Sequence, residues 1–194
     1  MNIISIDIET TGLDPQKHNI LSIGAVNPIN GEEFYRELYY KDLCVCAETG
    51  SLFKIHFNKI QQLKDCQKSQ PYLVVCDFNT WLIGQFNYKP ITAIGFNIGS
   101  FDMQFIKQLA CSVGSPGTMD LFNYRFLDLN SVMMFLTKKY ITTSFSDFKE
   151  LNNSRATDLL KQKCPQIYEL GAHNALYDAW FNVCYWEILL DYYK

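Results

Sequence analysis

The sequence predicts an α/β fold in which a mixed β-sheet is flanked by helices. Three short apolar segments, separated by turn residues, occupy the first 40 residues and indicate a meander of strands. Beyond them, segments with a helical spacing of apolar residues alternate with short strands, as in α/β proteins. The chain has 194 residues, of which 48% are hydrophobic, enough for a full-sized core. We therefore expect a single domain over residues 1–194.

The N-terminal strands are predicted from apolar runs bounded by turn residues. Residues 2–8 form the first, and Asn19–Val26 forms the second after a turn rich in Gly, Asp and Pro. The third, Phe34–Tyr40, follows Asn30–Gly31, a pair typical of β-hairpins. A meander followed by alternating helices and strands predicts a mixed sheet.

The later elements are predicted from the spacing of apolar residues. The predicted helices are 51–66, 72–86, 101–110, 131–139 and 175–190, and the predicted strands are 91–95 and 125–129. The last helix is rich in aromatic residues, which favours a place in the core. The stretch from Thr142 to Ser154 is polar, and we expect it to be irregular.

Composition restricts the classes of function. The net charge of −3 argues against a broad electrostatic grip on duplex nucleic acid, but not against an enzyme that acts on a strand end with the help of metal ions. No apolar run is long enough to span a membrane, and the signal-peptide pattern is missing. The seven scattered cysteines indicate reduced thiols and a cytoplasmic location. Those nearest to a zinc pattern, Cys44, Cys46 and Cys66 with His56, lack the close doublets of such a site.

Asp7 and Glu9 lie two residues apart in the first predicted strand, within the run S-I-D-I-E-T-T-G-L-D. Because side chains alternate along a strand, both carboxylates point to one side, with attachment points roughly 7 Å apart. Two unpaired charges on a buried strand are costly, so either cations neutralise them or they are not buried. The D-x-E pattern alone is too common to decide between these alternatives.

Two further acidic stretches end at Asp102 and at Asp178, and the second begins with His173. Taken singly, Asp102 fits a helix N-terminal carboxylate, Asp178 a buried acid paired with Lys or Arg, and His173 a capping or surface residue. Together, four acids delivered to one sheet edge would repel one another unless Mg²⁺ or Mn²⁺ bound them. Two such ions, about 4 Å apart, stabilise the attacking and leaving oxygens of a phosphodiester displacement. His173 is the nearest candidate to accept a proton from water.

The three acidic motifs resemble those of the DEDDh exonucleases, which include proofreading subunits of bacterial replicative polymerases, oligoribonuclease and RNase T. The matching stretches are D-I-E-T-T-G-L-D at 7–14, G-F-N-I-G-S-F-D at 95–102 and H-N-A-L-Y-D-A at 173–179. The resemblance implies a ribonuclease-H-like mixed sheet and a hydrolase that removes 5′-mononucleotides from the 3′ end of single-stranded DNA or RNA. It also implies two Mg²⁺ or Mn²⁺ ions held by Asp7, Glu9, Asp102 and Asp178, with His173 as general base.

The same resemblance implies that the turn after the first strand holds the terminal nucleotide. The positions that match substrate-contacting ones are Thr10, Thr11, Gly12, Leu13, Asn97 and Phe101. Leu13 would wedge against the last base, although it also fits an ordinary turn hydrophobe. Gly12 would permit the close approach of the strand end.

The chain also departs from the family pattern. Phe96 stands where family members commonly carry His before the Asn of the second motif. The stretch 137–170 is longer and more polar than the fold requires, and its basic residues fit a solvated helix face better than a phosphate track. These are Lys138, Lys139, Arg155, Lys161 and Lys163. Asp128 is expected to be structural. Because the chain ends soon after the last helix, no appended partner-binding domain is expected.

One rival function belongs to a different class. A non-catalytic module that binds nucleic-acid ends or proteins could use the same fold, but such a module has no need of four acids and His173. The sequence leaves open whether DNA or RNA is the substrate, since the two differ at the 2′-OH. It also leaves open whether the chain is a monomer or a homodimer.

Overall fold

The computed structural model describes residues 2–41, 69–140 and 144–192, and their five strands form one mixed sheet. The strands are β1 Ile3–Thr10, β2 Ile20–Val26, β3 Glu33–Glu37, β4 Thr92–Gly95 and β5 Leu127–Asp128, in the order β3-β2-β1-β4-β5. β1 pairs antiparallel with β2, and β2 pairs antiparallel with β3. The pairs β1–β4 and β4–β5 are parallel. The α/β class with a mixed sheet is confirmed.

Helices cover both faces of the sheet. They are α1 Pro71–Phe86, α2 Asp102–Ser112, α3 Leu129–Tyr140, α4 Phe145–Lys163, α5 Pro165–Tyr168 and α6 Ala175–Asp191, with a 3₁₀ helix at Pro116–Leu121. None of the helices in the described residues has the length and apolar character needed to cross a lipid bilayer.

The side chains of β1 point alternately to the two faces of the sheet, and each face has its own apolar cluster. Ile4, Ile6 and Ile8 are buried in the apolar cluster formed with α1 and α2. The opposite face packs against α3, α4 and α6, and there the Ser5 hydroxyl donates a hydrogen bond to the Ala179 carbonyl at 2.7 Å. Because side chains two apart share a face, Asp7 lies on the α6 side of the sheet with Ser5.

The start of α6 rests directly on the backbone of β2. A Cβ atom at Gly24 would lie 2.1 Å from the Ala175 carbonyl oxygen, so no other residue fits at this position without moving the helix. Gly24 is the β2 partner of Asp7. The absence of a side chain at one strand residue therefore brings the first turn of α6 beside the first acid of β1.

The expectation of an irregular segment at 142–154 was wrong for the residues described, because α4 begins at Phe145. The Ser144 hydroxyl accepts a hydrogen bond from the Asp147 backbone N at 3.2 Å and caps the helix. Its buried residues, Phe148, Asn152, Ala156 and Leu160, recur every four positions. One narrow stripe is enough to dock a helix whose other faces are polar.

The other predicted elements are found with shifted ends. β1 continues to Thr10, which brings Glu9 fully into the strand, whereas β3 ends at Glu37 and β5 contains only two residues. The predicted helix 51–66 and the cysteines with His56 lie outside the described residues. The shifts at the strand ends do not alter which residues reach the site.

Candidate metal centre and active site

Three carboxylates from two elements meet on the α6 side of the sheet. Asp7 and Glu9 of β1 and Asp178 in the first turn of α6 each place a carboxylate oxygen within 4.8 Å of the others. These are oxygen donors, the ligands that Mg²⁺ and Mn²⁺ prefer. The donor set and its spacing therefore fit a hard divalent cation.

Asp102 is the fourth acid, and it is held differently. It is buried in the first turn of α2, and its Oδ1 accepts a hydrogen bond from the Ile8 backbone N at 3.2 Å. Ile8 separates the two acids of β1, so this bond ties the start of α2 to the strand between them. Asp102 is outside the compact group of three, but its charge raises the pKa of Asp7. All four predicted acids are thus brought together.

The pKa values show how strongly these acids oppose ionisation. Burial raises the pKa of Asp7 well above its usual value, and the charges of Asp102, Asp178 and Glu9 raise it further. Burial, with Asp178 and Asp102, raises the pKa of Glu9 to about 7. Burial likewise raises the pKa of Asp102 to about 7, although backbone hydrogen bonds oppose the shift. The fold thus holds these carboxyls in place against the cost of burial and, at Asp7 and Glu9, against repulsion by the other acids.

No lysine or arginine forms an ion pair with these acids in the described part of the chain. The ion pairs there join Lys17 to Asp14, Arg36 to Asp77 and Lys163 to Glu187, away from the four acids. The alternative that Asp178 is paired with Lys or Arg is therefore wrong for the described residues. Burial raises its pKa to about 6, and the groups that oppose the shift are the backbone N–H and the charge of His173.

His173 lies at the entrance to α6 and is exposed. Its backbone is left-handed, with φ 66°, and its N donates a hydrogen bond to Asp178 Oδ2 at 2.9 Å. The helix cap is Asn174, whose Oδ1 accepts from Leu176 N and Tyr177 N at 3.0 and 3.3 Å. The alternative that His173 caps the helix is therefore wrong. Its neighbour Asn174 is the N-cap residue of α6.

The turn after β1 is fixed by its own hydrogen bonds. Thr11 is buried and bonds Asn19 twice, through its backbone N at 2.9 Å and its Oγ1 at 3.0 Å. Thr10 Oγ1 donates to the Gly12 carbonyl at 2.7 Å, and a Cβ at Gly12 would lie 2.5 Å from the His18 ring. Leu13 is 68% exposed at the tip of this rigid turn. Its side chain is therefore available to a ligand, whereas the threonine hydroxyls serve the turn.

The second-motif loop is anchored to β5 and α3. Asn97 has φ 55°, its N donates to Asp128 Oδ1 at 3.0 Å, and its Oδ1 accepts from Asn130 Nδ2 at 2.9 Å. The Asn97 carbonyl accepts from the backbone N of Phe101 at 2.9 Å. The Phe101 ring packs 5.0 Å from that of Phe105. These contacts set the position at which Asp102 begins α2, and Asp128 acts in them outside the acidic group.

Two supporting features were not predicted. Gly24 lets the backbone of α6 pack directly on β2, and a glycine inside a strand is a known sign of such close backbone approach. A hydrogen-bond chain also runs from Glu37 to the helix cap: Tyr35 OH donates to Glu37 Oε1 at 2.7 Å and accepts from Asn174 Nδ2 at 3.3 Å. An Asn directly before a helical pattern is a recognisable capping signal, but its link to Tyr35 depends on tertiary structure.

Comparisons with known proteins agree with this geometry. The sequence model of a family described as exonuclease, of the RNase T type, matches residues 4–183. Among solved structures, zinc-bound Escherichia coli exonuclease I with single-stranded DNA has a TM-score of 0.66 at 16% identity, covering 98% of this chain and 42% of that one. Its complex with a dT13 oligonucleotide has a TM-score of 0.63 at 15% identity, covering 96% and 40%.

A third exonuclease I structure has a TM-score of 0.62 at 16% identity and covers 98% of this chain. These likenesses show a shared ribonuclease-H-like fold. The chain spans about two-fifths of the length of the exonuclease I chains that it matches. A search of curated protein sequences finds no match.

Proposed function

Because the chain belongs to the exonuclease family, we propose that it is a metal-dependent 3′–5′ exonuclease acting on single-stranded nucleic acid. It hydrolyses the terminal phosphodiester bond and releases 5′-mononucleotides. The observation that carries the proposal is the cluster of Asp7, Glu9 and Asp178, with Asp102 beside it, which has no lysine or arginine partner among the described residues. Such a cluster is stable near neutral pH only when protons or divalent cations compensate it.

Asp7, Glu9, Asp102 and Asp178 would hold two Mg²⁺ or Mn²⁺ ions. When bound, the ions would lower the pKa of water and stabilise charge on the attacking and leaving oxygens. The chain itself supplies the geometry: β1 fixes two ligands, and Ile8 N orients Asp102. The His173 backbone N orients Asp178 through its Oδ2, which leaves the other oxygen of that carboxylate for a cation.

His173 is proposed to accept the proton of the attacking water. Its imidazole is spared from capping, because Asn174 performs that role. Its backbone bond to Asp178 keeps the residue within reach of the same carboxylate that would hold a cation. A base attached in this way can act on water beside the ion without being a ligand.

The substrate is proposed to be a single strand with a free 3′ end. Leu13 projects from a rigid turn directly after the acids of β1, where it can pack against a terminal base. The exonuclease I structures that share this fold contain single-stranded DNA and a dT13 oligonucleotide. The acidic net charge gives the chain little means to hold or melt a duplex.

Digestion of end-labelled oligonucleotides tests the proposal. Matched DNA and RNA strands labelled at the 3′ or 5′ end are incubated with Mg²⁺, Mn²⁺ or EDTA. We expect the 3′ label to appear first as a mononucleotide, EDTA to stop release, and a 3′-phosphate to slow it. Leu13→Ala should weaken binding of the strand end more than Ile29→Ala, which truncates another exposed turn residue.

Other results would contradict the proposal. Cleavage of circular strands at the rate of linear ones would show endonuclease action. Strand binding without nucleotide release under any metal condition would favour the non-catalytic binding module.

A further inference from the structure

One lysine of α4 contacts the second acidic motif. Lys149 Nζ lies 6.0 Å from the centre of the Phe96 ring, and the lysine is exposed. Phe96 directly follows Gly95, the last residue of β4, and precedes the loop that ends at Asp102. A helix outside the acidic cluster thus places a positive charge beside a motif that supplies one of the acids.

The position of Phe96 relative to the acids follows from its neighbours. A Cβ at Gly95 would lie 3.0 Å from the Ile6 carbonyl oxygen, so Phe96 emerges beside the part of β1 that carries Asp7. Its ring packs 6.5 Å from Phe181 and 5.0 Å from Tyr185 on α6. These residues come three and seven positions after Asp178, or about 5–10 Å along the helix axis. Phe96 therefore lies on the same face of the sheet as the acids, one to two helical turns away.

Lys149 differs from two other cations of its helix, each of which hydrogen-bonds a side-chain oxygen. Lys163 pairs with Glu187, and Arg155 donates to Tyr192 OH at 3.0 Å. Within the described residues, Lys149 has no carboxylate partner, and its recorded contact is an aromatic ring. A ring attracts an ammonium group through its quadrupole without neutralising the charge. The charge of Lys149 therefore stays available to a ligand.

We propose that Lys149, supported by Phe96, binds a backbone phosphate of the substrate strand, one or two linkages upstream of the bond that is cut. The inference rests on the proposed function. The four carboxylates repel an approaching polyanion, and ions bound there would act on the scissile phosphate. Phosphates further along the strand need another cation, and Lys149 presents one beside Phe96, on the face of the sheet that carries the acids.

The basic run predicted from the sequence does not provide this contact as a continuous track. Lys161 lies 5.4 Å from the centre of the Tyr168 ring, twelve residues and about 18 Å along α4 from Lys149. Lys161 therefore has the same kind of aromatic support at a different point of the same helix. It is a matched control, because Lys161→Gln removes the same charge from the same helix.

The test measures strand binding without cleavage. Fluorescence anisotropy is recorded with Ca²⁺ in place of Mg²⁺, on single-stranded oligonucleotides that are checked afterwards for intactness. Each oligonucleotide carries one uncharged methylphosphonate linkage, moved one position at a time from the 3′ end. We expect Lys149→Gln to weaken binding of the unmodified strand several-fold and to reduce the slope of log Kd against log salt by about 0.7. Lys161→Gln should change neither value.

The linkage scan identifies the phosphate. In the wild type, one neutral linkage near the 3′ end should weaken binding, and in Lys149→Gln that same linkage should have no further effect. Lys149→Arg should restore the wild-type pattern. The inference is overturned if every neutral linkage weakens both proteins equally, if Lys161→Gln matches Lys149→Gln, or if the wild type binds no single strand. Failure of the proposed function is seen separately, as binding without nucleotide release when Mg²⁺ is supplied.

Discussion

The acids and the histidine of the candidate active site are held in different ways. Asp7 and Glu9 belong to a strand whose neighbours on both sides are paired to it, and Asp102 bonds the backbone between them. His173 lies in an exposed, left-handed position outside any helix or strand. The fold therefore fixes the geometry of the acids, whereas the proposed base is held through its backbone N–H alone, and its imidazole stays exposed.

The largest effect should come from a substitution among the acids of β1. Asp7→Asn keeps the shape of the side chain but removes a central carboxylate, so we expect nucleotide release to fall to background. The metal-free variant should be as stable as the wild type or more stable, since burial and three acids oppose the charge of Asp7. Release assays and thermal melting in EDTA on one preparation check both expectations.

Asp158→Asn is the matched control for charge, because Asp158 is exposed on α4. Near-normal turnover by a folded Asp7→Asn protein would show that Asp7 is not needed for the reaction. A lower melting temperature in EDTA would instead show that the acid stabilises the fold.

A substitution at His173 should have a smaller effect, and it should lower the rate of cleavage without lowering stability. His173→Asn retains a residue that tolerates φ 66°, so the backbone bond to Asp178 should persist. Loss of a general base costs about 10²–10⁴ in rate, and we expect a drop in single-turnover cleavage of that size with cation affinity unchanged. Cleavage rate and cation titration are measured together.

Asn174→Ala sharpens this comparison, because it removes the cap next to His173. It should cost about 1 kcal/mol of stability. If His173→Asn also lowers stability by this amount and cleaves normally, His173 has a structural role and the proposed base is wrong.

The smallest effect concerns the dependence of stability on pH in the metal-free protein. The site carboxyls have pKa values near 4 when unfolded, but about 7 for Glu9 and Asp102 and about 6 for Asp178 when folded. Below about pH 4 they are protonated in both states, and between pH 4 and 7 the folded state binds more protons. Stability should therefore fall as pH rises through this window and stay low above it.

Melting curves in EDTA from pH 4 to 8 measure this fall, and Asp7→Asn should reduce it because the raised pKa of Asp7 no longer contributes. Added Mg²⁺ should raise the melting temperature most at the alkaline end. If the melting temperatures of the two proteins depend on pH in the same way, with or without Mg²⁺, ionisation of the site acids does not lower the stability of the fold.

The parts of the site that could be predicted from sequence are those with local signals. Alternation along a strand placed Asp7 and Glu9 on one face, and the motif resemblance added Asp102, Asp178 and His173. The mixed sheet followed from the order of apolar segments. In each case, neighbours in the chain carry the information.

The features that escaped prediction depend on contacts between distant segments. The first part of α4 was expected to be irregular because residues 142–154 are polar, and its narrow apolar stripe becomes meaningful only through packing against α6. The need for glycine at position 24 is set by Ala175, and the partner of Lys149 is Phe96. Such pairs leave no periodic pattern in a single sequence.

The hydrogen bond from Ser5 to Ala179 joins residues 174 positions apart. It marks where α6, with Asp178 and the preceding His173, closes onto the first strand. In a nascent or partly unfolded chain in which this contact has not formed, Asp178 and the proposed base His173 are not held beside the acids of β1. If the proposed function holds, competence to degrade nucleic acid appears only when the two ends of the fold have met.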